Sequence, residues 1–195
     1  LIAISFELKS SNNDTINCKV SLVFCKDLSD TYGGGNLFLG EVKFSKSWYL
    51  FNINYGFFQS QSTFIFTVPI EESGYILRIP FDEMAIMRMG TFSFGISPIM
   101  KNRFDVELNC GIAYGRAKWS CFKSVEYAFD SNKNEFSYLS KNYQLIESNH
   151  FGYQIGLSMS YFPSKRGGIQ ISARIYDLNN GGTFFFLGGG LCLKF

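Results

Sequence analysis

A single histidine, His150, could serve in acid–base chemistry, and Glu147 and Ser148 lie close to it in the sequence. A serine, a histidine and a carboxylate are the nucleophile, the base and the orienting group of a hydrolytic triad, which some lipid-modifying esterases use. The local nucleophile motif of those enzymes is missing around Ser148, and a lone polar residue at the aqueous end of a strand is the ordinary explanation of His150. We therefore expect no catalytic residue and no enzymatic activity, and a lipid-modifying enzyme is the last alternative.

Cysteine is the next residue type with possible chemistry, at positions Cys18, Cys25, Cys110, Cys121 and Cys192. No His, Cys and Asp residues stand at the spacing of a metal site, so we expect neither a metal nor a cofactor. Cys18 and Cys110 fall on the apolar face of their strands, where a thiol behaves as a small hydrophobic group. Cys25 and Cys192 fall on the opposite face and could approach each other if their strands close a barrel. The sequence leaves that disulfide open, because strand register cannot be read from it.

Charged side chains alternate with apolar ones along several segments, and four of them form our candidate site, a lumen charge network of Arg78, Asp105, Glu107 and Arg174. An unpaired ion in a narrow interior would be strongly destabilising, so mixed signs on different strands predict a paired network that fills the lumen. The alternative is that some of these charges lie near strand ends in water. Further charges that alternate with apolar residues in the same way, and so fall on the same face of their strands, are Glu7, Lys19, Glu41, Lys43 and Asp82.

The elements that position these residues follow from a period of two. Apolar residues occupy alternate positions over 104–114, 151–161 and 169–176, with Gly, Ser, Asn, Gln and a few charges between them. Successive side chains of a strand point to opposite faces, so each segment has one apolar and one polar face. A soluble β-sandwich also alternates, but its outer face is rich in Lys, Glu and Thr. Small polar residues are instead typical of a narrow barrel interior.

Composition supports a barrel whose apolar face is turned outward. The chain has 195 residues, 46% of them hydrophobic, 17% charged and 18% aromatic. The net charge is +2 and no basic run is present, so we expect no nucleic-acid partner. Apolar stretches are interrupted too often for a membrane-spanning helix, which needs about 20 such residues. If this chain meets a membrane, its strands cross it.

Loop lengths suggest an orientation. The connections at 45–47, 101–103 and 163–166 are short, whereas residues 118–149 separate two clean strands. Short turns on one side and long loops on the other are typical of outer-membrane barrels, with the short turns in the periplasm. We predict one domain over residues 1–195, an all-β, closed antiparallel transmembrane barrel of 8 to 10 strands. Residues 118–149 would form an extended extracellular hairpin with its tip at 130–134.

The C-terminal strand resembles the recognition signal that the barrel-assembly machinery reads on outer-membrane proteins. The residues that form this resemblance are Leu191, Leu193 and the terminal Phe195, which lie on one face of the strand. Together with the segments 39–50, 75–80, 94–95 and 174–176, the ending Gly190–Phe195 resembles the small outer-membrane barrels of Bacteroidota, the porin family and OmpX-like barrels. The resemblance covers roughly residues 35 to 195, and 118–149 departs from it.

This resemblance implies a location in the bacterial outer membrane of a Gram-negative cell, with both termini in the periplasm. The expected partners are outer-membrane lipid, the barrel-assembly machinery during insertion and other envelope proteins. The leading functional hypothesis is a non-enzymatic structural or interaction subunit of a cell-envelope complex with a filled lumen. A small channel or transporter for hydrophilic solutes is the first alternative. Thr15, in Asp14-Thr15-Ile16, resembles an acceptor for O-glycosylation.

Overall fold

The computed structural model describes residues 16–29, 33–70, 75–101, 103–130, 133 and 135–195, so Glu7 and Thr15 lie outside the described residues. In the described part, no helix is long and apolar enough to cross a membrane. The structure consists of β-strands joined by turns. The strands are β1 (Asn17–Asp27), β2 (Gly35–Lys46), β3 (Tyr49–Ile70), β4 (Tyr75–Lys101), β5 (Phe104–Asp130), β6 (Glu135–Tyr161), β7 (Gly167–Leu178) and β8 (Gly182–Lys194).

The strands form a closed ring in which each one pairs antiparallel with its neighbours in sequence, and β8 pairs with β1. At this seam, the Phe195 amide donates to the Cys18 carbonyl at 2.8 Å, and the Cys18 amide donates to the Phe195 carbonyl at 3.2 Å. Closure leaves the ring without a free strand edge where all eight strands meet. The predicted all-β, closed antiparallel barrel is confirmed, with eight strands.

The larger strand number is wrong because several short alternating segments belong to single long strands. The segments 49–57 and 64–68 both lie in β3, which has 22 residues. Likewise 75–81 and 92–98 both lie in β4, which has 27 residues. A Gln-Ser-Gln-Ser stretch at 59–62 interrupts the apolar alternation of β3, but it does not interrupt the strand. In β3, this interruption coincides with the point where the strand leaves the barrel wall.

The outer face of the ring is an apolar belt. Side chains on this face alternate with buried ones along every strand, and Leu22, Ile112 and Leu191 are each 70% exposed. Aromatic residues border the belt at both ends, with Trp48, Tyr49 and Tyr161 on the side of the short turns and Tyr55, Tyr114, Phe151 and Tyr153 on the other. An apolar band between two aromatic borders is the surface that a barrel presents to lipid.

Four strands continue beyond the ring on one side. β2 pairs with β3 only as far as Gly35 and Ser60, and β7 pairs with β6 only from Gly152 onward. The remainder of β3 and β4 forms one hairpin, and the remainder of β5 and β6 forms another. Ten residues of β3 beyond Ser60 correspond to about 30 Å of extended chain. We call residues 61–70 and 75–83 of the first hairpin and residues 121–130 and 135–146 of the second the double-hairpin extension.

Aromatic side chains hold the two hairpins together. The Phe122 ring of one hairpin lies 4.5 Å from the Phe81 ring and 5.3 Å from the Phe66 ring of the other, centroid to centroid. Phe81 is fully buried, as is nearly all of Ile79. The extension therefore has a small hydrophobic core of its own, which is separate from the barrel interior.

Candidate functional site

The barrel interior contains a cluster of charges in its half nearer the short turns. The Glu107 carboxylate pairs with Lys19 and, at 2.7 Å, with Lys43. The Glu41 carboxylate pairs with Arg174 and lies 3.4 Å from the Lys43 ammonium. These five side chains come from β1, β2, β5 and β7, so their contacts span the lumen from wall to wall. We call them the lumen cluster.

Polar side chains satisfy part of the remaining bonding capacity of the lumen cluster, and the buried Arg174 Nη1 has no hydrogen-bond partner among the described residues. The Gln170 amide donates to Glu41 at 2.8 Å, and the Arg174 Nε donates to the Ser172 hydroxyl at 2.9 Å. Lys19 donates to the Ser160 hydroxyl at 3.1 Å. Buried ions need such additional hydrogen bonds, because an ion pair alone does not offset the loss of hydration of both groups. The small polar residues that the sequence placed between apolar ones have this role.

Three of the four sequence-predicted charges lie inside the barrel, and the fourth does not. Glu107 and Arg174 belong to the lumen cluster. Asp105 lies closer to the short turns, where its carboxylate is 3.6 Å from the Lys194 ammonium. Arg78 is exposed on the double-hairpin extension, opposite Thr67, so its assignment to the lumen is wrong. Its segment alternates like a wall strand, but it lies beyond the ring, where the inward phase no longer faces a lumen.

The other half of the lumen is filled by apolar side chains, which the sequence analysis did not predict. The Phe58 ring lies 5.4 Å from the Phe184 ring and 5.6 Å from the Phe186 ring, and Tyr176 lies 5.6 Å from Phe186. All four are fully buried. A sequence signal existed in Phe184-Phe185-Phe186, because three consecutive apolar residues in a strand place apolar groups on both faces.

The wall residues around this aromatic layer are also apolar. Val23, Leu37, Leu39, Met87 and Met89 are each at most 4% exposed and pack in the same cluster. The lumen therefore has two layers, an ionic one and an apolar one, in series along the barrel axis. An ion crossing the barrel would have to displace paired charges and then enter a hydrocarbon-like layer, which opposes passage.

His150 lies at the end of this apolar layer and makes two hydrogen bonds. Its Nδ1 lies 3.2 Å from the Asn179 carbonyl oxygen, which can only accept, so the Nδ1 carries the proton. The Nε2 then accepts from the Ser148 hydroxyl at 2.7 Å. The third group of this set is a neutral carbonyl and not Glu147. Glu147 points to the outer face, where it bonds to Lys118 at 2.6 Å and Arg116 at 3.1 Å, and these donors lower the pKa of its carboxyl.

The cysteines are all free, so the disulfide left open by the sequence is absent. Cys25 pairs in register with Gly188, whereas Cys192 pairs with Ser21. The two thiols are thus four positions apart along β1, about 13 Å, which is too far for a disulfide. No group of three or more His, Cys, Asp and Glu residues in the described segments could hold a metal ion.

Leu191, Leu193 and Phe195 lie on the outer face of the seam strand, with exposures of 70%, 45% and 38%. The alternation of β8 thus presents Leu191 and Leu193 to the surroundings of the barrel, and Phe195, which follows the strand, continues this pattern. Whether the assembly machinery reads them stays a prediction.

No protein-family model matches this chain, and no curated protein matches its sequence. Solved structures with a similar fold include Ail, the attachment invasion locus protein of Yersinia pestis, with 13% identity and a TM-score of 0.47 over 92% of this chain and 97% of that one. Neisserial surface protein A has 12% identity and a TM-score of 0.49 over 92% and 97%. A major outer membrane protein from Thermus thermophilus has 12% identity and a TM-score of 0.49 over 91% and 99%. Membership in the Bacteroidota family stays a prediction, and the barrel assignment rests on the strand register.

Proposed function

We propose that this chain is an integral barrel of the bacterial outer membrane and acts, without catalysis, as a structural or interaction subunit of a cell-envelope complex. The apolar belt with its aromatic borders supports the membrane placement, since water would be a poor solvent for so many exposed Leu, Ile and Phe side chains. Membrane lipid is then the first partner. The outward face of β8 is the surface offered to the barrel-assembly machinery during insertion.

The asymmetry of the barrel supports one orientation in the membrane. The short turns lie at the end where β1 begins and β8 ends, and we place this end in the periplasm. The double-hairpin extension then stands on the extracellular side, and the predicted extracellular segment 118–149 includes its second hairpin. Proteolysis of intact cells should cut this hairpin and spare the turn at Lys165 and Arg166. Cleavage at that turn alone would invert the orientation.

The observation that carries the interaction role is the surface of the extension. Ile76 is 64% exposed and Leu145 is 63% exposed, with Tyr138 at 52% and Tyr143 at 41%. Aromatic and aliphatic residues on an element that stands clear of the apolar belt are typical of a protein interface. Over 135–150, β6 also has a backbone edge with which β7 does not pair. A partner strand could pair there.

The filled lumen argues against the alternative of a channel. The two lumen layers oppose the passage of a hydrophilic solute, and an eight-stranded barrel has an interior that side chains can fill. The barrel therefore serves as an anchor, and contact with other molecules takes place on its surface.

The experiment that tests the interaction role removes most of the second hairpin of the extension, with Tyr138 and Tyr143, and keeps the barrel. Cys121 and Gln144 are register partners, so residues 122–143 can be replaced by a two-residue Asn-Gly turn without a change of pairing below them. Both forms would be purified from membranes in mild detergent, and co-eluting proteins identified. We expect the shortened form to fold as a barrel and lose envelope proteins that co-elute with the full chain. Retention of all of them would contradict the role.

A serine hydrolase is the second candidate, favoured by the hydrogen bond between Ser148 and His150. The tautomer fixed by Asn179 leaves Nε2 free to accept the serine proton, as a catalytic dyad requires. His150 is only 6% exposed, however, and it faces the packed lumen rather than a cleft. Purified protein should not hydrolyse added phospholipid. Turnover that disappears in Ser148→Ala would establish the enzyme instead.

A further inference from the structure

A concentration of positive charge lies on the outer face, just beyond the aromatic border of the apolar belt. Arg88 of β4 and Arg116 of β5 are register partners, and both side chains are exposed. Lys118 lies two positions further along β5, on the same face and also exposed. We call these three residues the cationic patch.

The cationic patch has too few counter-charges. Glu147 bonds to Arg116 and Lys118, and no carboxylate of the described residues forms an ion pair with Arg88. Like charges directly opposite each other on antiparallel strands repel, so the facing arginines destabilise this part of the sheet unless an anion lies between them. The arrangement is explained if the patch is built for an anion.

The surroundings of the patch are apolar. Arg88, Arg116 and Lys118 share a surface depression of about 420 Å³ with Phe57 and Ile86. On the belt side, the next register partners are Tyr55, Gly90, Tyr114 and Phe151. The Tyr114 hydroxyl donates to the Asn149 side chain at 2.8 Å, which ties this aromatic border to the patch. A ligand here meets cations at one end and hydrocarbon at the other.

We propose that the cationic patch binds the phosphate of a membrane lipid in the leaflet on the side of the extension. Arg88 and Arg116 bracket the phosphate, since guanidinium groups match its oxygens with paired hydrogen bonds, and Lys118 adds a third charge. Phe57 and Ile86 contact the apolar part of the same lipid. Three cations are too few for a nucleic acid, whose binding depends on neutralising many phosphates. The inference rests on the membrane placement proposed above.

The test measures lipid preference in phosphatidylcholine nanodiscs. Spin-labelled phosphatidic acid and spin-labelled phosphatidylcholine would be compared for association with the inserted barrel. The wild type should prefer phosphatidic acid, and each of Arg88→Gln and Arg116→Gln should weaken this preference about fivefold. The double variant Arg88→Lys/Arg116→Lys keeps the charge without the planar guanidinium groups, so it should lose less of the preference than Arg88→Gln/Arg116→Gln.

Lys26 provides a matched control. Its register partners around the ring lead through Asn36, Gln59 and Ile86 to Lys118, so Lys26 lies in the same row of the outer face without a cationic neighbour. Lys26→Gln should leave the preference unchanged. An equal loss in Lys26→Gln, or no loss in Arg88→Gln/Arg116→Gln, would overturn the site.

Inorganic phosphate distinguishes a lipid from a free anion. We expect an excess of inorganic phosphate to displace little of the spin-labelled phosphatidic acid, because it lacks the apolar contacts with Phe57 and Ile86. Complete displacement, with equal binding of phosphate alone, would make the patch a site for free anions and overturn the lipid assignment. Failure of the wild type to insert would overturn the membrane placement and this inference with it. Insertion without lipid preference would overturn this inference alone.

Discussion

Arg174 on β7 and Glu41 on β2 form an ion pair across the barrel interior, and neither side chain has any exposure to solvent. Two strands, β8 and β1, separate them around the ring. Their pairing links opposite parts of the wall through the lumen. It also leaves the lumen cluster with three cations, Lys19, Lys43 and Arg174, and two carboxylates, Glu41 and Glu107.

The first prediction follows from this imbalance. Glu41→Gln should lower the free energy of unfolding by about 3–5 kcal/mol, because three buried cations would then share one carboxylate. Arg174→Met should be milder, since it leaves two cations with two carboxylates. Urea unfolding of the barrel in lipid vesicles measures both. If Arg174→Met is the more damaging change, the charge accounting of the lumen cluster is wrong.

The second prediction concerns the apolar belt. Leu157 is on the outer face of β6, and Leu157→Arg should cost about 2–4 kcal/mol if that face meets the lipid midplane. Leu145 lies further along the same strand, on the extension, so Leu145→Arg is the matched control and should be nearly neutral. Membrane insertion and the gel shift between heated and unheated samples provide the readouts. Equal tolerance of both changes would contradict a lipid-facing belt.

The third prediction concerns closure of the ring. A Cβ atom at Gly190 would overlap the Leu22 carbonyl oxygen of β1, whereas one at the neighbouring Gly189 would lie 3.3 Å from its nearest neighbour, the Gln170 carbonyl oxygen. Gly190→Ala should therefore disturb the seam between β8 and β1, and Gly189→Ala should be much better tolerated. The fraction of protein that refolds into a heat-modifiable barrel measures this. Equal refolding yields would show that close approach at the seam is unimportant.

The fourth prediction concerns Glu147, which lies outside the apolar belt. Hydrogen bonds from Lys118 and Arg116 lower the pKa of the Glu147 carboxyl below its ordinary value of 4.5. A lowered folded-state pKa means that these bonds stabilise the fold above the unfolded-state pKa, and that this stabilisation disappears as the pH falls through the folded-state pKa. NMR titration should find the midpoint raised towards 4.5 in Lys118→Gln and unchanged in Lys26→Gln. An unchanged Glu147 midpoint in Lys118→Gln would contradict the hydrogen bond between Lys118 and Glu147.

Alternation along the chain, together with the small polar residues on the non-apolar face, predicts the closed barrel and the direction of most side chains. Ile112 and Leu157 face outward, and Asp105, Glu107 and Arg174 face inward, as period two requires. This pattern depends only on which side of a strand a residue occupies. It can therefore be inferred from neighbouring residues in the sequence alone.

Strand register and strand length depend on contacts between segments that are distant in the sequence, and the wrong predictions concern these two properties. Arg78 has the inward phase, yet β4 has already left the ring at that point. Likewise, 49–57 and 64–68 alternate as separate segments although both belong to β3. Cys25 and Cys192 share a face, but their relative height depends on how β8 aligns with β1. The contact of Phe58 with Phe184 also depends on packing across the lumen, which joins strands that are far apart in sequence.

The central claim is that the lumen is filled, by the paired charges in one half and the aromatic layer around Phe58 in the other. Purified wild-type protein inserted into a planar lipid bilayer tests it most directly. We expect insertion without steady ion conductance, because neither layer offers ions a hydrated path. A stable, large single-channel conductance in the wild-type protein would contradict this account and establish the chain as a channel.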